Sequence, residues 1–145
     1  MDEVFPDLYV GRIEDAGDPS LCHTRGIDRI VSLTFSDPEG GFPPSISVAT
    51  FRMKDGPRND EALFATAVED VVTALETGER VLVHCTRGSS RSPSVAATAA
   101  AISEGIELAG SFRQVQRRRP ETDPHDAVVR NAVAVFADLA CATRS

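Results

Sequence analysis

The stretch that constrains this chain most is residues 80–102, RVLVHCTRGSSRSPSVAATAAAI. A short apolar run of strand type meets a loop of small and polar residues, and the loop meets a run of helix formers. Strand, loop and helix in that order make an anion-binding architecture: loop N–H groups converge on one point and the helix N-terminus adds partial positive charge. Ser92 reads as the N-cap and Pro93 as the first helical residue. Gly88 lets the loop turn through positive φ or lets a ligand approach. Arg91 offers a two-pronged fork for phosphate oxygens. Cys85 lies at the bottom of this cup, and a cysteine beside cations at a helix N-terminus is a thiolate nucleophile at neutral pH. It would attack phosphorus in line while Arg91 and the loop from Thr86 through Arg87, Gly88, Ser89 and Ser90 hold the equatorial oxygens.

The rest of the chain supplies a frame for that loop. LYVG (8–11), GIDRIVSLTF (26–35), SVATFRM (47–53) and RVLVH (80–84) read as strands. DPSLCHT (18–24) reads as a short helical connection capped by Asp18, and LFATAVEDVVTALETG (63–78) as an amphipathic helix capped by Asn59 or Asp60 and stopped by Gly78. ELAGSFRQVQRRR (107–119) is a third helix ended by Pro120. HDAVVRNAVAVFADLA (125–140) is a last one, with Val129, Ala132, Val133, Phe136 and Leu139 on its apolar face. Strands alternating with helices predict an α/β fold with a largely parallel central sheet. At 145 residues, with no repeat or linker, the chain reads as one domain over 1–145.

Composition excludes several classes. The longest apolar run, VAATAAAI (95–102), is too short to span a bilayer, and the acidic start lacks a signal-peptide core, so a cytoplasmic protein without membrane attachment is expected. Three cysteines, Cys22, Cys85 and Cys141, form neither a disulfide framework nor a zinc pattern, and Cys22 and Cys141 read as buried apolar residues. No metal or cofactor is implied. The net charge of −7 argues against a nucleic-acid partner. The charge is uneven: residues 1–79 hold 6 basic and 16 acidic residues, whereas 80–145 hold 9 and 6. That places an anion site on an otherwise acidic body.

HCTRGSSRS resembles the HCxxGxxR[ST] signature of the protein tyrosine phosphatase superfamily, and the size and order of elements resemble the compact dual-specificity phosphatases. The likeness runs through LYVGRIEDAGDPSLCHTRGIDRIVSL, RVLVHC and QRRRPETDPHDAVVRNAVAVF. It implies a protein tyrosine phosphatase-like fold, a mostly parallel mixed sheet of four to five strands flanked by helices. It implies hydrolysis of phosphotyrosine and phosphoserine/threonine through a thiophosphate-enzyme intermediate. By that likeness Cys85 matches the nucleophile, Arg91 the phosphate-binding arginine, and Ser92 the hydroxyl that assists thiolate departure. His84 matches the histidine that orients the loop and helps depress the cysteine pKa, as a supporting residue and not a general base. The partners implied are a phosphorylated protein or small phosphomonoester, with phosphate or sulfate able to sit in the loop.

The general acid of this family is an aspartate some thirty residues before the cysteine. Asp55 follows a strand directly and is favoured over Asp60, which sits where a helix N-cap belongs. Arg87 departs from the small residue common at its position and is read either as a rim cation or as a solvated side chain. His125 is read as a helix-start residue near the site or as one that touches substrate or the attacking water, the run Arg117–Arg119 as a solvated helix end or a site for acidic partners, and His23 is assigned no role. Other readings stay open: the same chemistry on RNA 5′-phosphates or phosphoinositides, sulfur transfer, or a non-catalytic phosphate-binding module.

Overall fold

The computed structural model describes residues 1–144. Five strands, β1 (Asp2–Phe5), β2 (Leu8–Arg12), β3 (Arg29–Ser32), β4 (Ser47–Thr50) and β5 (Val81–Cys85), form one mixed sheet in the order β1-β2-β5-β3-β4. Only β1 is antiparallel to its neighbour; the β2–β5, β5–β3 and β3–β4 pairs are parallel. The central strand β5 is buried at all five positions, which is why its sequence is a continuous apolar run rather than an alternating one. Its side chains still alternate between faces. Val81, Val83 and Cys85 belong to the larger core, and Leu82 to a smaller one with Tyr9, Cys22, Ile27 and Ile30.

Among the described residues six α-helices flank the sheet: α1 (Ile13–Ala16), α2 (Pro19–Thr24), α3 (Glu61–Glu76), α4 (Arg91–Glu104), α5 (Leu108–Arg118) and α6 (Asp126–Arg144). Helix α4 is buried from Ser92 to Ala101 because it packs against α3, α5, α6 and β5 at once. Its alanines and serines permit that closeness. The Ser111 hydroxyl of α5, for example, reaches the Ala97 carbonyl at 2.6 Å. Asp18 caps α2, accepting the Leu21 N–H at 3.0 Å. Asp60 caps α3, accepting the N–H groups of Ala62 and Leu63 at 2.9 and 3.1 Å.

Several expectations are corrected. The strands predicted over 26–35 and 47–53 are only four residues long in each case, because the chain beyond them bends over the carboxyl edge of the sheet to supply the site. Strand β1 was not foreseen. Its hairpin turn holds no glycine, and Asp7 takes the left-handed φ of 66° instead. Helix α6 carries two overlapping apolar stripes. The buried one is Val128, Ala132 and Val135, so Val133, expected in the core, is 55% exposed. Cys141 lies off that stripe and is exposed, whereas Cys22 is buried as expected.

Candidate active site

The carboxyl ends of the parallel strands open on one edge of the sheet, and β5 ends there with Cys85. The loop that follows turns back into α4, which starts at Arg91, two residues earlier than expected. Ser90 is therefore at the cap position and Pro93 is the third helical residue. Ser92 is not a cap. Its hydroxyl lies 3.1 Å from the Cys85 Sγ, and its N–H donates to the same sulfur at 3.4 Å. With the helix starting early, the Ser92 hydroxyl meets the sulfur and Arg91 lines the same pocket.

The backbone hydrogen bonds of the loop can be accounted for one by one. The His84 carbonyl accepts from Leu33 N–H and the Thr86 carbonyl from Ile13 N–H. The Arg87 and Gly88 carbonyls accept from the Arg119 guanidinium, at 3.3 and 2.7 Å. The Ser89 carbonyl accepts from Asp123 N–H at 2.7 Å, and the Ser90 carbonyl from the N–H and hydroxyl of Ser94. Every carbonyl from 86 to 90 thus points outward into the protein. A trans peptide points its N–H the opposite way, so the amides of 87–90 face the cup. Gly88 makes the turn possible: its φ is 66°, and a Cβ there would lie 2.6 Å from the Gly11 carbonyl oxygen and 2.5 Å from Arg119 Nη2.

Cys85, Thr86, Arg87, Ser89, Ser90, Arg91 and Asp55 line one pocket of about 230 Å³. Arg91 is anchored from behind. Its Nη1 donates to the Met53 carbonyl at 2.9 Å and the Leu33 carbonyl at 3.4 Å, and its Nη2 to the Thr86 hydroxyl at 3.0 Å. Arg87 is exposed on the pocket wall. Asp55 comes from the segment after β4, and its Oδ1 accepts from the Ser90 hydroxyl at 2.6 Å. That hydroxyl also accepts the His125 N–H at 2.9 Å. Asp60 is occupied in capping α3 and does not line the pocket. A larger groove of about 520 Å³ lies along α3 and Arg29, but that arginine is already paired with Asp70 at 2.7 Å.

His84 is fully buried behind the loop, facing Phe42 at a centroid distance of 6.1 Å. Burial pushes its pKa down to about 4, so the ring is neutral at pH 7 and its Nδ1–H donates to the Cys85 carbonyl at 3.3 Å. It contacts the backbone of Cys85 as a neutral ring rather than as a charge. The His125 ring caps α6, its Nδ1 accepting the Ala127 N–H at 3.1 Å. His23 stands exposed on α2.

The expectation for the arginine run is corrected at one position. Arg117 and Arg118 are exposed, but Arg119 is 2% exposed and its Nη1 pairs with Asp2 at 2.7 Å. Three like residues in a row carry no signal of which one turns inward. Besides Glu121, 3.8 Å away, the side-chain hydrogen-bond partners of Arg119 lie 31, 32 and 117 residues away in sequence.

No family model matches the chain. The curated protein-tyrosine-phosphatase IBR5 of Arabidopsis thaliana is 32% identical over 123 residues, covering 83% of this chain and 45% of that one. The chain therefore spans less than half the length of this relative. A crystal structure of human DUSP28 superposes with a TM-score of 0.87 at 23% identity, over 100% of both chains. A mouse putative dual specificity phosphatase, complexed with zinc tungstate, superposes with a TM-score of 0.88 at 24% identity, over 98% of this chain and 89% of that one. At such identities the two structures speak for the fold, and the sequence match agrees with them. By fold the chain is protein tyrosine phosphatase-like, and in sequence it is similar to tyrosine and dual-specificity phosphatases of the cysteine-based superfamily, of which it spans less than half.

Proposed function

We propose that residues 1–145 act as one catalytic domain that hydrolyses phosphate monoesters, phosphotyrosine and phosphoserine/threonine in proteins, through a thiophosphate-enzyme intermediate. The observation that carries this reading is the convergence of the Cys85 sulfur, the Arg91 guanidinium, inward amides and the Asp55 carboxyl on one pocket of about 230 Å³. The ester phosphate sits in the cup, where Arg91 and the amides of 87–90 hold its oxygens. The Cys85 thiolate attacks phosphorus, the bond to the leaving oxygen breaks, and Asp55 gives that oxygen its proton. Water then attacks phosphorus, Asp55 takes a proton from it, and the sulfur–phosphorus bond breaks. The Ser92 hydroxyl, 3.1 Å from Sγ, donates a hydrogen bond to the departing thiolate.

The relative IBR5 is itself described as a protein-tyrosine phosphatase, and the mouse neighbour carries tungstate, a tetrahedral oxyanion like phosphate. The relative's name supports this reading over RNA 5′-phosphate, sulfur-transfer and non-catalytic alternatives, and the tungstate supports an oxyanion site. Free thiols at Cys22, Cys85 and Cys141 fit a reducing, cytoplasmic setting, and no helix among the described residues is long and apolar enough to cross a membrane. The test is hydrolysis of p-nitrophenyl phosphate, a phosphotyrosine peptide and a phosphothreonine peptide, all with EDTA present. The wild type should turn over all three and Cys85→Ser none. A folded wild type that is inert on all three overturns the proposal.

A further inference from the structure

We propose that Arg119, together with Asp2, is a positioning residue for catalysis: it holds the phosphate loop in its anion-binding shape from behind. The inference rests on the function proposed above. Arg119 leaves α5 and lies beneath the loop, with a side chain only 3% exposed. Its Nε and Nη2 take two consecutive carbonyls, those of Gly88 and Arg87, and Asp123 N–H takes the next, that of Ser89. Each captured carbonyl fixes the opposite face of its own peptide, so three N–H groups, those of Gly88, Ser89 and Ser90, are aimed into the cup.

The glycine between them cannot resist rotation by itself, since without a Cβ its backbone has the widest choice of angles. The rigidity must come from outside, and Arg119 touches both flanking peptides. Asp2 completes the device. Its Oδ2 takes the remaining Arg119 donor at 2.7 Å, tying the guanidinium to β1, the edge strand of the sheet. A guanidinium can satisfy three directions in one plane, whereas an ammonium cannot keep the same fork. Arg119 is not among the residues that line the pocket. Its effect is on how well the amides match the charge that grows on the phosphoryl oxygens, so it should act on turnover and oxyanion affinity more than on substrate capture.

The experiment measures p-nitrophenyl phosphate kinetics and inhibition by orthovanadate for the wild type, Arg119→Lys, Arg119→Met and Asp2→Ala, well below each variant's unfolding temperature. Arg119→Met should lose about 10–100-fold in kcat with KM little changed, and bind orthovanadate more weakly by a similar factor. Arg119→Lys should fall between it and the wild type, and Asp2→Ala should show the smallest loss. If Arg119→Met does not fold, Arg119→Lys decides. A merely structural arginine would lower the unfolding temperature of the variants and leave kcat and orthovanadate affinity within about twofold of wild type; that result overturns the proposal. A wild type that neither turns over nor binds orthovanadate overturns this inference and the proposed function together, whereas an active wild type matched by its variants overturns this one alone.

Discussion

Two loops meet at the pocket, and they are held in opposite ways. The phosphate loop, 85–91, is fixed through its backbone: every carbonyl from Thr86 to Ser90 has a donor, and four of the five are met by residues distant in sequence, Ile13, Arg119 and Asp123. The acid-bearing segment, 54–60, is mostly exposed. It is held by the Asn59 side chain donating to the Lys54 carbonyl at 2.7 Å, by Asn131 reaching Asn59, and by one contact from Ser90 to Asp55. The difference fits the roles proposed for the two loops. A group that stabilises charge in the transition state works best when its dipoles need no reorganisation. A group that gives a proton and takes one back needs reach more than rigidity. One loop is built before the ligand arrives; the other is only leaned against it.

If that contrast is right, substitutions in the two loops should fail differently. The largest separable effect belongs to Asp55→Asn, which should lower turnover by about 10²–10⁴-fold without loss of stability. The deficit should be greater for phenyl phosphate than for p-nitrophenyl phosphate, since the poorer leaving group needs the proton more. Steady-state kinetics on both esters checks this, and an equal deficit on the two would remove Asp55 from the role of acid.

Gly88→Ala should fail in the other way. It forces a side chain into the left-handed region at about 1–2 kcal/mol and against Arg119 and Gly11 as well, so stability and activity should fall together. Denaturant unfolding alongside kinetics reads both.

His84 gives the phosphate loop a pH signature. Its folded pKa, about 4, lies below the ordinary 6.5, so the unfolded chain gains a proton between those values that the folded one does not. Stability from the neutral ring is therefore whole above about pH 6.5 and is lost as pH falls toward about 4, on the order of 3 kcal/mol in all. Unfolding curves at pH 7 and pH 4.5 should show this excess acid loss in the wild type and not in His84→Gln. The smallest effect is Asp60→Asn. Asparagine caps nearly as well as aspartate, so stability should change by less than about 1 kcal/mol and turnover not at all.

How far the sequence reaches follows the same division. Cys85, Gly88 and Arg91 are legible because their chemistry is compressed into seven adjacent residues between a strand and a helix. The parallel core is legible because buried strands must be apolar throughout. Asp55 could be set against Asp60 because a helix N-cap is a local signal and Asp60 carries it. Other features were not legible. The start of α4 depends on where Gly88 turns the chain, so Ser92 looked like a cap when its hydroxyl faces sulfur. Arg119 shares its local pattern with Arg117 and Arg118, and only contacts across more than thirty residues single it out. The buried stripe of α6 had a rival one position away, and packing chose between them.

The central claim, that the Cys85 sulfur carries the phosphoryl group between two steps, can be read directly in Ser92→Ala. Without the hydroxyl 3.1 Å from Sγ, the second step should slow more than the first. The measurement is an acid quench during turnover of p-nitrophenyl phosphate, followed by peptide mass spectrometry. The account predicts a peptide containing Cys85 heavier by one phosphoryl group, together with a burst of p-nitrophenol close to one per enzyme. Steady turnover in Ser92→Ala with no burst and no modified Cys85 peptide would contradict it.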